Sequence, residues 1–312
     1  MITAPSSEPQ TSLWKPGKKY AQQKSLLPYL ALAPSFLLTI GILIASFVAI
    51  FYSFTDLTLK SPEYSMVGFR NYIDTFTDPR FWHAVGVTVR YVVFATAFEM
   101  VLGICIAHLL NHENAISRSL RLVLTIPLMI APVIGALIWL LFTNPTAGIV
   151  RIPLGWIGLG DFRWSADPDW ALFSLIVIDV WIYTPFVVIL VLAGLRSLPR
   201  SPYEAALIDG GSAWFVYKNL TLPMLAPVLL IALVFRMMTS LQEFGIIFAT
   251  TRGGPGDRTL NLAVAAYNEA FSHHNLSDAI PMLLFLWFMT YVSCFILIRF
   301  WRKAQKAASG AV

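Results

Sequence analysis

Uncharged or nearly uncharged runs of about 20 residues, each long enough to cross the hydrocarbon core of a bilayer, recur along the whole of this 312-residue chain. Backbone polar groups cannot be left unpaired in lipid, so runs of this length and composition read as spanning helices. Only 12% of the residues are charged and 57% are hydrophobic, which separates the chain from soluble globular proteins, where about a quarter are charged. One integral membrane domain is expected, with no large soluble one. The net charge of +5 is explained by basic loops on one membrane face and does not call for a nucleic-acid partner.

The runs fall at about 26–54, 84–111, 122–143, 170–195, 223–249 and 279–298, giving about six spans and an all-α integral membrane fold. The first follows a basic segment but is too long for a signal-peptide core and lacks a clear cleavage site, so it is expected to remain as an anchor. Pro127 and Pro132 should bend the third. Residues 1–25 read as a disordered cytoplasmic tail, 26–300 as the membrane domain and 301–312 as a second cytoplasmic tail. With this layout thirteen Lys and Arg residues lie on the side of both termini and seven on the other, so both termini face the cytoplasm. Cys105 and Cys294 both sit inside apolar runs and read as packing residues.

Between the fourth and fifth spans lies the most legible local grammar in the chain, over 196–222. Ser201 and Glu204 have capping-box spacing, with Pro202 at the first helical position, so a helix should begin there. Gly210-Gly211 supplies the left-handed conformation that ends a helix, and Ser212 can cap a second one. Pro223 then opens the next apolar run. The stretch reads as helix, glycine elbow, helix on the basic side of the membrane. A capping Glu204 would turn back towards Ser201; a Glu204 open to solvent would make that spacing incidental.

Four charges lie deep in the spans: Glu99, Asp179, Arg236 and Glu243. Each needs a partner, a cavity or a function, because burying a charge in a bilayer costs at least a few kcal/mol. Arg236, Ser240 and Glu243 fall on one helical face, as do Asp179, Tyr183 and Phe186. Acids, hydroxyls and aromatics together suit sugar binding, since hydroxyls pair with the former and ring faces lie on the latter. The plainer alternative is that the charges neutralise one another between helices, Arg236 against Asp179 or Glu99. No metal-ligand pattern, nucleophile elbow or phosphate-binding loop is present in the sequence, so no catalytic residue, metal site or directly bound cofactor is expected.

Glu204-Ala205-Ala206, Asp209-Gly210, Ser212 and Leu222-Pro223 resemble the EAA motif of ABC importer permeases, with Gly211 where alanine is usual. Gly68-Phe69-Arg70-Asn71-Tyr72, Asp78-Pro79-Arg80-Phe81-Trp82, Trp181, Thr184-Pro185 and Gly253-Gly254-Pro255 resemble carbohydrate importer permeases of the maltose-transport type. The resemblance implies a type I importer fold with two short cytoplasmic coupling helices. It also implies an ATPase dimer inside that holds ATP and Mg, an extracytoplasmic sugar-binding protein, and a second permease subunit forming a heterodimer. It gives Glu204, Ala205, Ala206, Asp209, Gly210, Ser212 and Pro223 a coupling role, and supports Asp179, Tyr183, Arg236, Ser240 and Glu243 as substrate-pathway residues. The expected setting is a bacterial or archaeal plasma membrane. The alternatives are a polyol or glycerol phosphate as cargo, or an ion-coupled carrier with Asp179, Glu99 and Glu243 as a proton relay.

Overall fold

The computed structural model describes residues 27–61, 63–156, 158 and 162–308, so the N-terminal tail expected over 1–25 lies outside the described residues. The described chain is helical; its only strand-like pairings are two isolated bridges, Thr55 with Met66 and Thr58 with Ser61. It divides into two compact units, Met1–Ala49 and Ile50–Val312.

Of the first unit the structure describes Leu27–Ala49, the greater part of helix α1 (Leu27–Tyr52), which has Pro28 in its first turn and Pro34 in its interior. Phe36, Leu37, Ile42 and Phe47 are exposed on different sides of it, the distribution of a helix solvated by lipid. Two of its hydroxyls are satisfied internally, Thr39 donating to the Ser35 carbonyl and Ser46 to the Ile42 carbonyl, both at 2.8 Å.

In the second unit, a short loop leads to α2 (Arg70–Thr77) and the long α3 (Pro79–Leu109). Asn71 is buried and holds the loop, donating to the carbonyls of Ser53 at 2.9 Å and Thr55 at 2.7 Å. Asp78 caps α3 by accepting from Arg80 N–H, and Pro79 occupies the first turn, where a missing N–H costs nothing.

The third span is broken. Helix α4 (Ala115–Thr125), capped by Asn114, runs into a single 3₁₀ turn at Pro127–Met129 and then α5 (Pro132–Phe142), with 102° between the two limbs. Two prolines five residues apart each remove an N–H and clash with the preceding turn, so the expected bend becomes a corner. Short α6 (Arg151–Trp156) lies in the loop before α7 (Ala171–Ser197).

Next come α8 (Ser201–Ile208), α9 (Ala213–Val216) and α10 (Leu222–Leu241). The second short helix is not separate: a π turn at Tyr217–Thr221 fuses α9 to α10 as one 29-residue run, Ala213–Leu241. Leu222 N–H donates five residues back, to the Tyr217 carbonyl, and this wide turn accommodates Pro223 inside a continuing helix. The chain closes with α11 (Gly245–Thr250), α12 (Leu262–Tyr267) and α13 (Leu276–Ala308). The latter carries the helix eight residues beyond Phe300, so the segment read as a tail from 301 is helical as far as it is described.

Among the described residues, five helices are long and apolar enough to span a bilayer, six if α4–α5 counts as one broken span, in agreement with the expected number. Helices α3, α7, α10 and α13 form the packed centre. Two glycines set the closest approaches around α7. A Cβ on Gly103 would lie 2.5 Å from Val187 Cγ1, and one on Gly194 would lie 2.7 Å from Leu225 Cδ1. Neighbouring helices therefore bear directly on α7, the helix that leads into α8.

Candidate functional site

Two regions concentrate the sequence candidates. The first is the hinge of α8 and α9. Helix α8 begins one residue earlier than the capping-box spacing predicts: Arg200 is its N-cap, with helical φ/ψ, and accepts from the N–H groups of Tyr203 and Glu204. Ser201 is thus already inside the helix and its side chain caps nothing, so the capping box is corrected. Glu204 is exposed, and its carboxylate has no hydrogen-bond or ion-pair partner among the described residues.

The exit from α8 follows the expected grammar. Gly210 adopts φ +73°, and the N–H groups of Gly210 and Gly211 return to the carbonyls of Leu207 at 3.2 Å and Ala206 at 2.9 Å. This closed turn satisfies the orphan carbonyls of the helix end. Ser212 then caps α9 by accepting from Phe215 N–H at 3.3 Å. Tyr203 donates to Thr221 Oγ1 at 3.0 Å, and the Tyr217 ring meets His108 of α3 edge-on at 5.2 Å. The hinge is therefore braced to the feet of α10 and α3. Its outer side presents Leu207, Ile208, Trp214 and Phe215, each more than half exposed, beside Glu204 and Asp209. Ala205 is exposed and Ala206 half-buried, so the helix carries small side chains there. A groove of about 1140 Å³ runs under the hinge, lined by His108, Glu113, Arg200, Tyr203 and Glu204 among others.

The second region is the polar centre. Arg236 of α10 donates to both oxygens of Glu99 on α3, with Nη2 to Oε1 at 2.6 Å, and Nη2 also reaches Asp179 Oδ2 on α7 at 3.0 Å. Nη1 donates to Thr239 Oγ1 at 2.7 Å, and the guanidinium lies 3.9 Å from the Tyr183 ring centroid. Arg236 is 2% exposed and both carboxylates are fully enclosed. One arginine therefore fastens three spanning helices.

Of the five pathway candidates, the structure brings Asp179, Tyr183 and Arg236 together and adds Glu99. Ser240 is buried with its hydroxyl unpartnered. Glu243 is buried and turns to the start of α11, accepting from Ile246 N–H at 2.8 Å. Only Tyr183 is half-exposed. The open side of α10 is the neighbouring stripe, Phe235, Thr239 and Gln242, and Phe235 pairs with Phe186 of α7 at 6.2 Å. These residues also recur at i, i+4 and i+7. Sequence periodicity finds the polar sector of such a helix; which of two adjacent stripes faces inward depends on its neighbours. The charge of Arg236 was the available signal, because a lone arginine in a span must turn towards its carboxylates.

Residues 99–306, more than half of the chain, match the family of binding-protein-dependent transport system inner membrane components. The chain belongs to this family. Among curated proteins, the permease is similar to the trehalose/maltose transport system permease protein MalF of Thermococcus litoralis, at 33% identity over 91% of this chain and 97% of the relative. It is 32% identical to the sulfoquinovosyl glycerol transport system permease protein SmoG of Agrobacterium fabrum, over 88% of this chain and 90% of that one. Among solved structures, a bacterial ABC transporter that imports the acidic polysaccharide alginate superposes with a TM-score of 0.76 at 22% identity, over 89% of this chain and 95% of that chain. The fold is that of an ABC importer permease, and the permease is a multi-pass membrane transport subunit of the carbohydrate type.

Proposed function

We propose that the permease carries a sugar across a bacterial or archaeal plasma membrane by alternating access, with α8 as the element that receives force from an ATPase dimer. ATP and Mg belong to that ATPase, and this chain binds no cofactor of its own. Inside, the ATPase packs on Leu207, Ile208, Trp214 and Phe215, with Glu204 and Asp209 offered to its cations. Ala205, Ala206, Gly210, Ser212 and Pro223 shape the hinge. Outside, a sugar-binding protein delivers the cargo, and a second, different permease subunit completes the pore. Both termini are cytoplasmic, which the excess of cations on that side supports.

The observation that carries this reading is an exposed, unpaired Glu204 among exposed apolar side chains, on a helix locked by the Gly210 turn and tied to α10 through Tyr203 and Thr221. Large apolar side chains grouped on a polar membrane face mark an interaction surface. A short rigid helix pinned in a partner's groove transmits displacement to the spans without new chemistry. Tyr183, Phe235, Thr239 and Gln242 form the cargo face, while Asp179, Arg236 and Glu99 hold it in shape from behind. Ser240 and Glu243 take their place in the same supporting layer.

The test is uptake and ATP hydrolysis by the full complex in proteoliposomes with Glu204→Lys. Sugar import should fall at least tenfold while ATP hydrolysis persists; import and hydrolysis both at wild-type levels would reject the coupling role.

A further inference from the structure

The charge inventory around the cargo face constrains what can pass over it. Between the inner-end Arg196 and the outer ends of α7 and α10, Arg236 is the one basic side chain on either helix. It is 2% exposed and held by Glu99, Asp179 and Thr239, so it offers no cation to a ligand. Three carboxylates, Glu99, Asp179 and Glu243, are enclosed in the same layer. With one carboxyl protonated the layer is still net negative, and with two it is neutral; it turns positive only if all three are neutral. Of the other cations on the spans, Arg90 of α3 folds back on its own Gly86 carbonyl, on an exposed face shared with Val93 and Phe94, and Arg121 of α4, which lines a pocket beside α7 with Arg196, donates to the Ser117 carbonyl near the inner end.

We propose that the cargo is an uncharged sugar or polyol and that this pathway discriminates against phosphate, sulfonate and uronate groups. The inference rests on the sugar-import reading above. An anion crossing a low-dielectric passage needs a cation or a row of free donors to replace its water. The face instead supplies aromatic rings from Tyr183 and Phe235, a hydroxyl from Thr239 and an amide from Gln242, which are partners for neutral hydroxyls and ring faces. The layer, which offers no free cation, is in contact with that face, since Arg236 touches both Thr239 and the Tyr183 ring. Each carboxylate of the layer that stays ionised beyond the one paired with Arg236 alters the occupancy of an anion about 10 Å away by roughly tenfold, at an effective dielectric of about 20. Gln242 adds polarity at the outer end without adding charge.

The experiment uses the complete complex in proteoliposomes with its own binding protein. The probes are maltose, trehalose and glycerol on the neutral side, and sn-glycerol 3-phosphate, sulfoquinovosyl glycerol and a glucuronate disaccharide on the anionic side. Binding-protein occupancy is measured for each by calorimetry, and import is expressed per occupied binding protein. Neutral probes should be imported at least tenfold faster than any anionic probe at equal occupancy, or be the only probes held and imported. Import of an anionic probe within tenfold of the neutral ones, or of anionic probes alone, overturns the proposal while leaving the importer reading intact. ATP hydrolysis without import of any probe sinks the sugar reading itself, and this inference with it.

Discussion

Replacing Arg236 with alanine removes the group that fastens α3, α7 and α10, and its cost follows from the polar atoms left stranded. Both Glu99 oxygens and Asp179 Oδ2 lose their donor, as does Thr239 Oγ1, and the two carboxylates stay fully enclosed with no cation beside them. An ordinary interhelical hydrogen bond in a membrane contributes about 0.6 kcal/mol. Breaking a buried ion pair from one side costs about 3–5 kcal/mol, because a charge is left in a low-dielectric interior. The second figure should govern here, so Arg236→Ala is expected to lower stability by about 3–5 kcal/mol. The assay is denaturant unfolding of the purified complex in mixed micelles, run as a cycle with Glu99→Ala and the double variant. Because Glu99→Ala removes one of the stranded carboxylates, the double variant should be less damaged than the sum of the singles by about 1–3 kcal/mol. An Arg236→Ala effect of about 0.6 kcal/mol with additive singles would show that the network is no stronger than an ordinary membrane hydrogen bond.

Gly210→Val meets no atom within 4 Å of the added Cβ, so its penalty comes from the backbone alone at φ +73°, about 1–2 kcal/mol. It should loosen the end of α8 and lower sugars imported per ATP without unfolding the protein; unchanged coupling with intact expression would count against the hinge. Asn71→Ala leaves the Ser53 and Thr55 carbonyls without their side-chain donor and should cost about 1–3 kcal/mol, read as faster proteolysis of the outer loop. The Ser65 hydroxyl and Ser65 N–H both donate to Asp56, which holds that carboxyl below the usual range. A lowered folded value means the loop's extra stability is complete above the ordinary carboxylate value of about 3.9 and disappears as pH falls through the lower folded value. The protection of the Ser65 amide from hydrogen exchange, relative to its intrinsic rate, should therefore fall in acid in the natural protein, whereas Asp56→Asn should lose that pH dependence.

Most of the architecture was legible in the sequence because spanning a bilayer leaves few solutions, and apolar length alone located the helices. The Gly210 turn and the Ser212 cap were legible because both depend on neighbours a few residues away. The start of α8 was not: Ser201 and Glu204 have the right spacing, but Arg200 takes the cap position in a helical conformation, a choice made by the chain arriving from α7. Fusion of α9 with α10 through a wide turn was likewise hidden, since Pro223 reads as a boundary when the turn before it cannot be seen. At the polar centre the sequence picked out the charged residues, and the structure assigned them to the interior. Arg236 is drawn inward by Glu99 and Asp179, which arrive from helices 137 and 57 residues away in sequence, and that rotation brings Phe235, Thr239 and Gln242 to the open side.

The proposed coupling of transport to ATP depends most on α8 as the surface that meets the ATPase. A photo-crosslinking amino acid at Ile208, 87% exposed on that surface, tests it in membranes carrying the whole complex. The ATPase subunit should be the main adduct, and the same probe at buried Val191 should give none. Adducts at Ile208 with lipid or with the permease alone, in a complex that hydrolyses ATP and imports sugar, would contradict that role of α8.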